Sequence, residues 1–66
     1  MQITVNGKKE TIDNPKTLFE LIQQKGLNKD KIVVERNLEI IPRENLDRVK
    51  LSQGDSIEIV SFVGGG

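Results

Sequence analysis

Three consecutive glycines, Gly64, Gly65 and Gly66, offer the clearest chemistry in this sequence. A free α-carboxylate on Gly66 is a group that the active site of another protein can activate. Glycine has no Cβ, so its backbone can approach a surface closely, and three extended residues reach roughly 10 Å. The pattern predicts a tail that threads into a narrow active site, with Gly66 as the reacting residue. The alternative is an incidental glycine-rich end, because chain termini are commonly disordered.

Composition limits what the rest of the chain can do. A domain of 66 residues buries only about 60% of the surface that its unfolded chain exposes, so a deep catalytic cleft is not expected. The sequence has no cysteine and no histidine, which removes disulfides and the commonest metal ligands, nucleophiles and general bases. We therefore expect no catalytic residue and no metal site.

The charged residues balance, with ten Lys and Arg against ten Asp and Glu. The broad positive field that draws a protein onto nucleic acid or an anionic membrane is therefore missing. The longest apolar run, Ile32-Val33-Val34, is far shorter than the roughly 20 residues that span a bilayer. We expect no nucleic-acid or membrane partner, and a cytoplasmic location.

A hairpin and a helix are predicted for the first half of the chain. Ile3 and Val5 alternate with polar residues, and Asn6-Gly7 favours a type I′ turn, so residues 2–6 and 8–12 should pair. Thr17 and Glu20 have the spacing of a capping box. The helix that they begin should run over residues 18–25, because Gly26 suits the left-handed residue that follows a helix.

The second half is predicted to add three strands. Residues 31–35 are rich in β-branched side chains, Asn37 suits a turn, and residues 39–41 form a short strand that Pro42 confines to an edge or ends. Residues 43–47 suit a single helical turn, and Gly54-Asp55 marks the bend into the last strand. This order predicts an α+β, ubiquitin-like β-grasp fold, in which one main helix packs on one face of a small mixed sheet. Residues 1–62 would form the domain, and residues 63–66 a flexible tail.

The last strand also predicts a contact surface. Side chains alternate along a strand, so if Ile57 and Ile59 face the helix, Val60 and Phe62 point to the uncovered face of the sheet. Exposed apolar patches often mark binding sites, and this one would lie beside the tail. The alternatives are that an adjacent loop covers Phe62, or that a lone exposed aromatic side chain has no functional meaning. Arg43 is a further candidate docking residue, together with Arg36 and Arg48, for an acidic partner surface.

Four segments in this order resemble the ThiS family, the sulfur carriers of thiamin biosynthesis, over the whole chain. They are Gln2-Ile3-Thr4-Val5-Asn6-Gly7, Val33-Val34-Glu35-Arg36-Asn37 leading into Ile40-Ile41-Pro42-Arg43, Gly54-Asp55-Ser56-Ile57-Glu58-Ile59, and Gly65-Gly66. Of these, only the terminal pair is tied directly to chemistry. Gly64 departs from the family pattern, because it adds one glycine to the tail before Gly65-Gly66.

The resemblance implies a reaction cycle at Gly66. A ThiF-type adenylating enzyme would bind ATP and convert the carboxylate to an acyl-adenylate. Sulfur from a cysteine desulfurase or another persulfide donor would then replace AMP and leave a thiocarboxylate. A ThiG-type thiazole synthase would accept that sulfur. The chain itself would hold no cofactor and would be a regenerated co-substrate, not an enzyme.

Other functions remain open at this point. The chain could carry sulfur for molybdopterin synthesis or tRNA thiolation, which use the same fold and tail. It could also be a ubiquitin-like modifier that joins Gly66 to lysines of other proteins. A third possibility is a passive β-grasp interaction module whose glycines are incidental.

Overall fold

A computed structural model describes residues 1–13 and 16–62 of the chain. They form five strands and one α-helix, with two short 3-10 turns at Lys29–Lys31 and Arg43–Asn45. The strands are Gln2–Val5 (β1), Lys8–Thr11 (β2), Ile32–Arg36 (β3), Glu39–Ile41 (β4) and Ser56–Ser61 (β5), and the helix is Leu18–Gln24 (α1). The predicted tail, residues 63–66, lies outside the described residues.

The five strands make one mixed sheet in the order β2-β1-β5-β3-β4. Strands β1 and β5 are parallel, and the other neighbouring pairs are antiparallel. Thus β5, which leads towards the glycines, is the central strand. The predicted fold class is confirmed, and the short strand before Pro42 lies at an edge, as expected.

The helix packs on the sheet through one apolar face. Leu18, Leu21 and Ile22 are buried, and the sheet contributes Ile3, Val5, Ile32, Val34 and Ile57 to the same core. Burial of such side chains is the main stabilising term, at about 1.5–3 kcal/mol for each one. The opposite face of the sheet has no helix over it within the described part of the chain.

The predicted capping box begins the helix. Thr17 Oγ1 accepts a hydrogen bond from the backbone N–H of Glu20 at 3.2 Å, and Glu20 Oε1 accepts one from the N–H of Thr17 at 3.0 Å. The bond from the Thr17 backbone lowers the pKa of Glu20. Gly26 follows the helix with φ +72°, so the predicted left-handed residue is also confirmed.

Both hairpins turn through residues of positive φ. Asn6 and Gly7 have φ of 49° and 81°, which confirms the first turn. In the second turn Asn37 and Leu38 have φ of 51° and 73°. Asn tolerates this region, but in an ordinary L-residue such as Leu the Cβ crowds the backbone there. The strain at Leu38 is not evident from the sequence.

A Leu38→Gly variant should be more stable than the wild type by about 0.5–1 kcal/mol. It relieves the left-handed strain of about 1–2 kcal/mol, offset in part by the greater freedom of glycine in the unfolded chain. Little packing is lost because Leu38 is 91% exposed. Urea denaturation measures the change. Leu38→Ala keeps the Cβ and is the control, so an equal gain in both variants would contradict the role of strain.

Candidate functional site

The sheet holds the chain up to the last residue before the predicted tail. The N–H of Phe62 donates to the carbonyl of Lys31 at 3.0 Å, and Ser61 and Val60 lie opposite Ile32 and Val33 of β3. We call residues 60–62 the tail root. The residues predicted to thread and to react, Gly64, Gly65 and Gly66, lie outside the described residues, so their roles stay predictions.

The tail root presents two apolar side chains to solvent. Ile57 is fully buried and Ile59 is partly buried, whereas Val60 is 57% and Phe62 is 46% exposed. The predicted alternation of β5 is therefore confirmed. The alternative in which a loop covers Phe62 is wrong, because about half of that side chain is exposed. Binding of a partner by Val60 and Phe62 stays a prediction.

Arg43 lies at the same end of the sheet as the tail root. Its Nη1 is 2.9 Å from Asp30 Oδ1, and both side chains are more than half exposed. Asp30 directly precedes Lys31, whose carbonyl binds Phe62. An exposed ion pair contributes only about 0–1 kcal/mol, so Asp30 is easily exchanged for an acidic group of a partner. The docking role of Arg43 stays a prediction.

The side chain of Asn6 forms hydrogen bonds with β5 beyond the end of β1. Its Oδ1 accepts a hydrogen bond from the N–H of Ile59 at 2.7 Å, and its Nδ2 donates to the carbonyl of Ile59 at 3.2 Å. The side-chain amide thus occupies the place of a backbone peptide where β1 has already turned away. Asn6 was predicted to end the first strand and to begin its turn, and this contact was missed.

A buried carboxylate holds the other end of β5. Asp55 is 5% exposed and accepts hydrogen bonds from the N–H of Ser52 at 2.8 Å, Arg36 Nε at 2.9 Å and Asn37 Nδ2 at 3.1 Å. Asn37 Oδ1 in turn accepts from the N–H of Ser56 at 2.9 Å. This network joins the turn between β3 and β4 to the start of β5.

The network lowers the pKa of Asp55 and engages the guanidinium of Arg36. Burial by itself would raise the pKa of Asp55, but the hydrogen bonds from Arg36, Ser52 and Asn37 and the charge of Arg36 outweigh it and lower the pKa. Because the guanidinium of Arg36 is bound to Asp55, it has a structural role. The sequence had suggested Arg36 as a docking residue and Asp55 only as part of a bend.

Residues 1–13 and 16–62 contain neither a candidate metal cluster nor a helix that could span a membrane. No group of three or more Asp and Glu side chains there is placed to hold a metal ion. None of the helical segments in this part of the chain combines the length and the apolar character needed to cross a bilayer.

A mixed sheet with one helix on one face, and a central last strand that leads to three glycines, defines a ubiquitin-like β-grasp protein. The ThiS family profile matches residues 2–66. The chain belongs to the ThiS family. The match includes Gly66, the residue predicted to react.

Two relatives match along nearly the whole chain. The sulfur carrier protein ThiS of Bacillus subtilis is 44% identical over 62 residues, which cover 94% of this chain and 88% of that protein. The crystal structure of the thiamine biosynthesis protein ThiS from Geobacter metallireducens superposes with a TM-score of 0.85 at 35% identity and covers 100% of both chains.

A longer relative contains a similar segment. The thiazole synthase of Paramagnetospirillum magneticum is 38% identical over 66 residues. The alignment covers 100% of this chain but 20% of that protein. The chain therefore spans about a fifth of the length of this curated relative.

Proposed function

We propose that this chain is a sulfur carrier of thiamin biosynthesis and that it carries sulfur as a thiocarboxylate on Gly66. The observation that carries the proposal is the family match, which continues through residue 66 and includes a named sulfur carrier at 44% identity. The fold supports it, because the central strand fixes the tail root while the reactive group lies beyond it.

Activation is the first step of the proposed cycle. A carboxylate anion resists nucleophiles, so an oxygen of the Gly66 carboxylate attacks the α-phosphorus of ATP and displaces pyrophosphate. The product is a mixed anhydride with AMP, which is a good leaving group. A ThiF-type adenylating enzyme supplies the ATP site, and this chain supplies the tail.

Sulfur transfer follows on the acyl-adenylate. The terminal sulfur of a persulfide, formed by a cysteine desulfurase or a similar donor, attacks the Gly66 carbonyl carbon and displaces AMP. A second thiol then attacks the donor's own sulfur atom, forms a disulfide with the donor and releases the Gly66 thiocarboxylate. One oxygen of the tail has been replaced by sulfur.

Delivery regenerates the carrier. A ThiG-type thiazole synthase takes the sulfur into the thiazole ring. An oxygen atom from the acceptor substrate or from water replaces the sulfur on the Gly66 carbonyl carbon, so the tail returns to its carboxylate form. The chain is consumed and restored in each cycle, so it acts as a co-substrate and not as an enzyme. The occurrence of a similar segment inside a thiazole synthase supports this partner.

We place the cycle in the cytoplasm. Persulfide transfer and its release step both need free thiols, and the cytosol keeps thiols reduced.

Intact-mass measurement tests the proposal. The protein is incubated with a ThiF-type enzyme, ATP, a cysteine desulfurase and cysteine, with a control that lacks ATP. The expected result is an ATP-dependent mass gain equal to replacement of one oxygen by one sulfur, located at Gly66 by fragmentation. An unchanged mass with active enzymes would contradict it, and higher-mass conjugates in cells would instead favour a protein modifier.

A Val60→Ser/Phe62→Ser double variant should bind the adenylating enzyme at least about tenfold more weakly, because an apolar contact worth at least about 1.4 kcal/mol is removed. Both side chains are about half exposed, so stability should change little. Titration calorimetry measures the affinity. Leu38→Ser, at the other end of the sheet, is the control. Unchanged affinity in the double variant would refute a docking role for the tail root.

A further inference from the structure

The two edges of β5 are held differently near the tail root. On the side of β3 the backbone ladder reaches the end of the strand, where the N–H of Phe62 donates to the carbonyl of Lys31 at 3.0 Å. On the side of β1 the ladder stops earlier. Strand β1 ends at Val5, opposite Ile57, and the last backbone bond is from the N–H of Asn6 to the carbonyl of Ile57 at 2.8 Å.

The side chain of Asn6 extends this support by one step. Its Oδ1 accepts from the N–H of Ile59 at 2.7 Å and its Nδ2 donates to the carbonyl of Ile59 at 3.2 Å. We call this pair of hydrogen bonds the Asn6 clamp. Backbone groups alternate between the two sides of a strand, and Phe62 points towards β3, so those of Ser61 point towards the β1 side. Among the described residues, the clamp is the last hydrogen-bonded support of β5 on that side.

An open groove lies beside the clamp. Its volume is about 330 Å³, and its lining includes Asn6, Ile59 and Ser61. Ser61 is exposed and Ile59 is only partly buried. Packing therefore restrains the end of β5 weakly here, because a side chain that borders a groove lacks contact atoms on that side. The clamp supplies most of the restraint.

An asparagine suits this position for two separate reasons. Its φ is 49°, in the left-handed region that Asn tolerates better than most residues. Its side-chain amide carries both an acceptor and donors, as a peptide group does, whereas an ionised aspartate has acceptors only. The turn requires the first property alone, and the clamp requires the second.

We propose that Asn6 is a positioning residue for Gly66, because its clamp on Ile59 fixes the direction in which the tail root leaves the sheet. This inference rests on the proposed function, in which an adenylating enzyme must capture a carboxylate four residues beyond Phe62. Ordering a backbone segment costs conformational entropy. A root that is ordered during folding removes part of that cost from the capture of the tail.

An Asn6→Gly variant tests the proposal. Glycine accepts the positive φ and removes both bonds of the clamp. The KM of the adenylating enzyme for this protein should rise about fivefold while kcat changes by less than about twofold, because the enzyme itself orders the tail once it is bound. ATP-pyrophosphate exchange at several concentrations of the carrier measures both constants.

Asn37→Gly is the matched control at the other end of β5. Asn37 has a φ of 51°, and its side chain also makes two hydrogen bonds, to Asp55 and to the N–H of Ser56. This variant therefore makes the same change of residue type and loses a similar pair of bonds, but away from the tail root. Its KM and kcat should match those of the wild type.

Amide hydrogen exchange of the free protein gives a readout that needs no enzyme. The Phe62 amide should exchange at least about fivefold faster in Asn6→Gly than in Asn37→Gly, because local opening at the end of β5 becomes easier. An unchanged KM in Asn6→Gly would overturn the inference, and so would an equal rise in both variants. If the wild type is not adenylated, the proposed function fails, and equal Phe62 exchange in the two variants would then separately refute the clamp.

Discussion

Gly65→Val is expected to abolish adenylation, with a fall of at least about 100-fold in its rate, while the domain stays folded. A misplacement of about 1 Å at a reacting group is enough for an effect of that size. A β-branched side chain also restricts the backbone and widens a segment predicted to pass through a slot. ATP-pyrophosphate exchange by the adenylating enzyme measures the rate.

The control for that variant places the same side chain elsewhere. Thr11→Val adds valine at an exposed position of the edge strand β2 and should leave exchange unchanged. Thermal melting checks that both variants fold. A Gly65→Val protein that is adenylated at the normal rate would show that the tail does not thread, and the role assigned to Gly64 and Gly65 would be wrong.

Asp55→Asn is expected to destabilise the domain by about 2 kcal/mol at pH 7. The variant loses charge-assisted hydrogen bonds, each worth about 1.5–3 kcal/mol, and its amide turns a donor towards Asn37 or Arg36. A domain of this size is stable by only roughly 3–10 kcal/mol. The midpoint of thermal unfolding should fall by about 8–16 °C. Asp47→Asn, an exposed carboxylate, should change stability by less than about 0.5 kcal/mol.

The same substitution should alter the response to acid. The pKa of Asp55 is lower in the folded protein than its usual value of 3.8, so its contribution is complete above that value. As pH falls from about 4 through the lowered pKa, the unfolded state takes up the proton first and the contribution is lost. The stability difference between wild type and Asp55→Asn should therefore narrow at low pH. A constant difference from pH 7 to pH 2 would contradict this account.

Local signals predicted the local structure well. Asn6-Gly7, the Thr17 capping box and Gly26 each act within a few residues, and the structure confirms all three. The alternation that exposed Val60 and Phe62 is equally local. Only the limits differ. Asn6 belongs to the turn and Ile12 lies beyond β2, so the first two strands are each one residue shorter than predicted. The helix ends at Gln24, β3 is shifted by one residue to Ile32–Arg36, and the turn after Pro42 is a 3-10 turn over Arg43–Asn45.

The contacts that the sequence did not reveal join distant parts of the chain. Asn6 and Ile59 are 53 residues apart, and Asp55 lies 19 residues from Arg36. The turn after β1 already accounts for an asparagine at position 6, and the bend before β5 accounts for an aspartate at position 55. Nothing in the neighbouring sequence therefore suggests that either side chain also makes a long-range hydrogen bond. The direct opposition of Glu35 and Glu58 was missed for a related reason, since it depends on the register of β3 against β5.

The central position of β5 also bears on when the tail root becomes ordered during folding. Of the five strands, β5 is synthesised last, yet β1 and β3 both need it as a neighbour. Pairing across such long sequence separations is slow to form, and Asn6 can clamp Ile59 only after β5 has inserted. A half-folded chain therefore has no ordered tail root to offer. If Gly66 carries sulfur as proposed, loading would begin only on molecules whose sheet is complete, and the fold would prevent the use of ATP on immature chains.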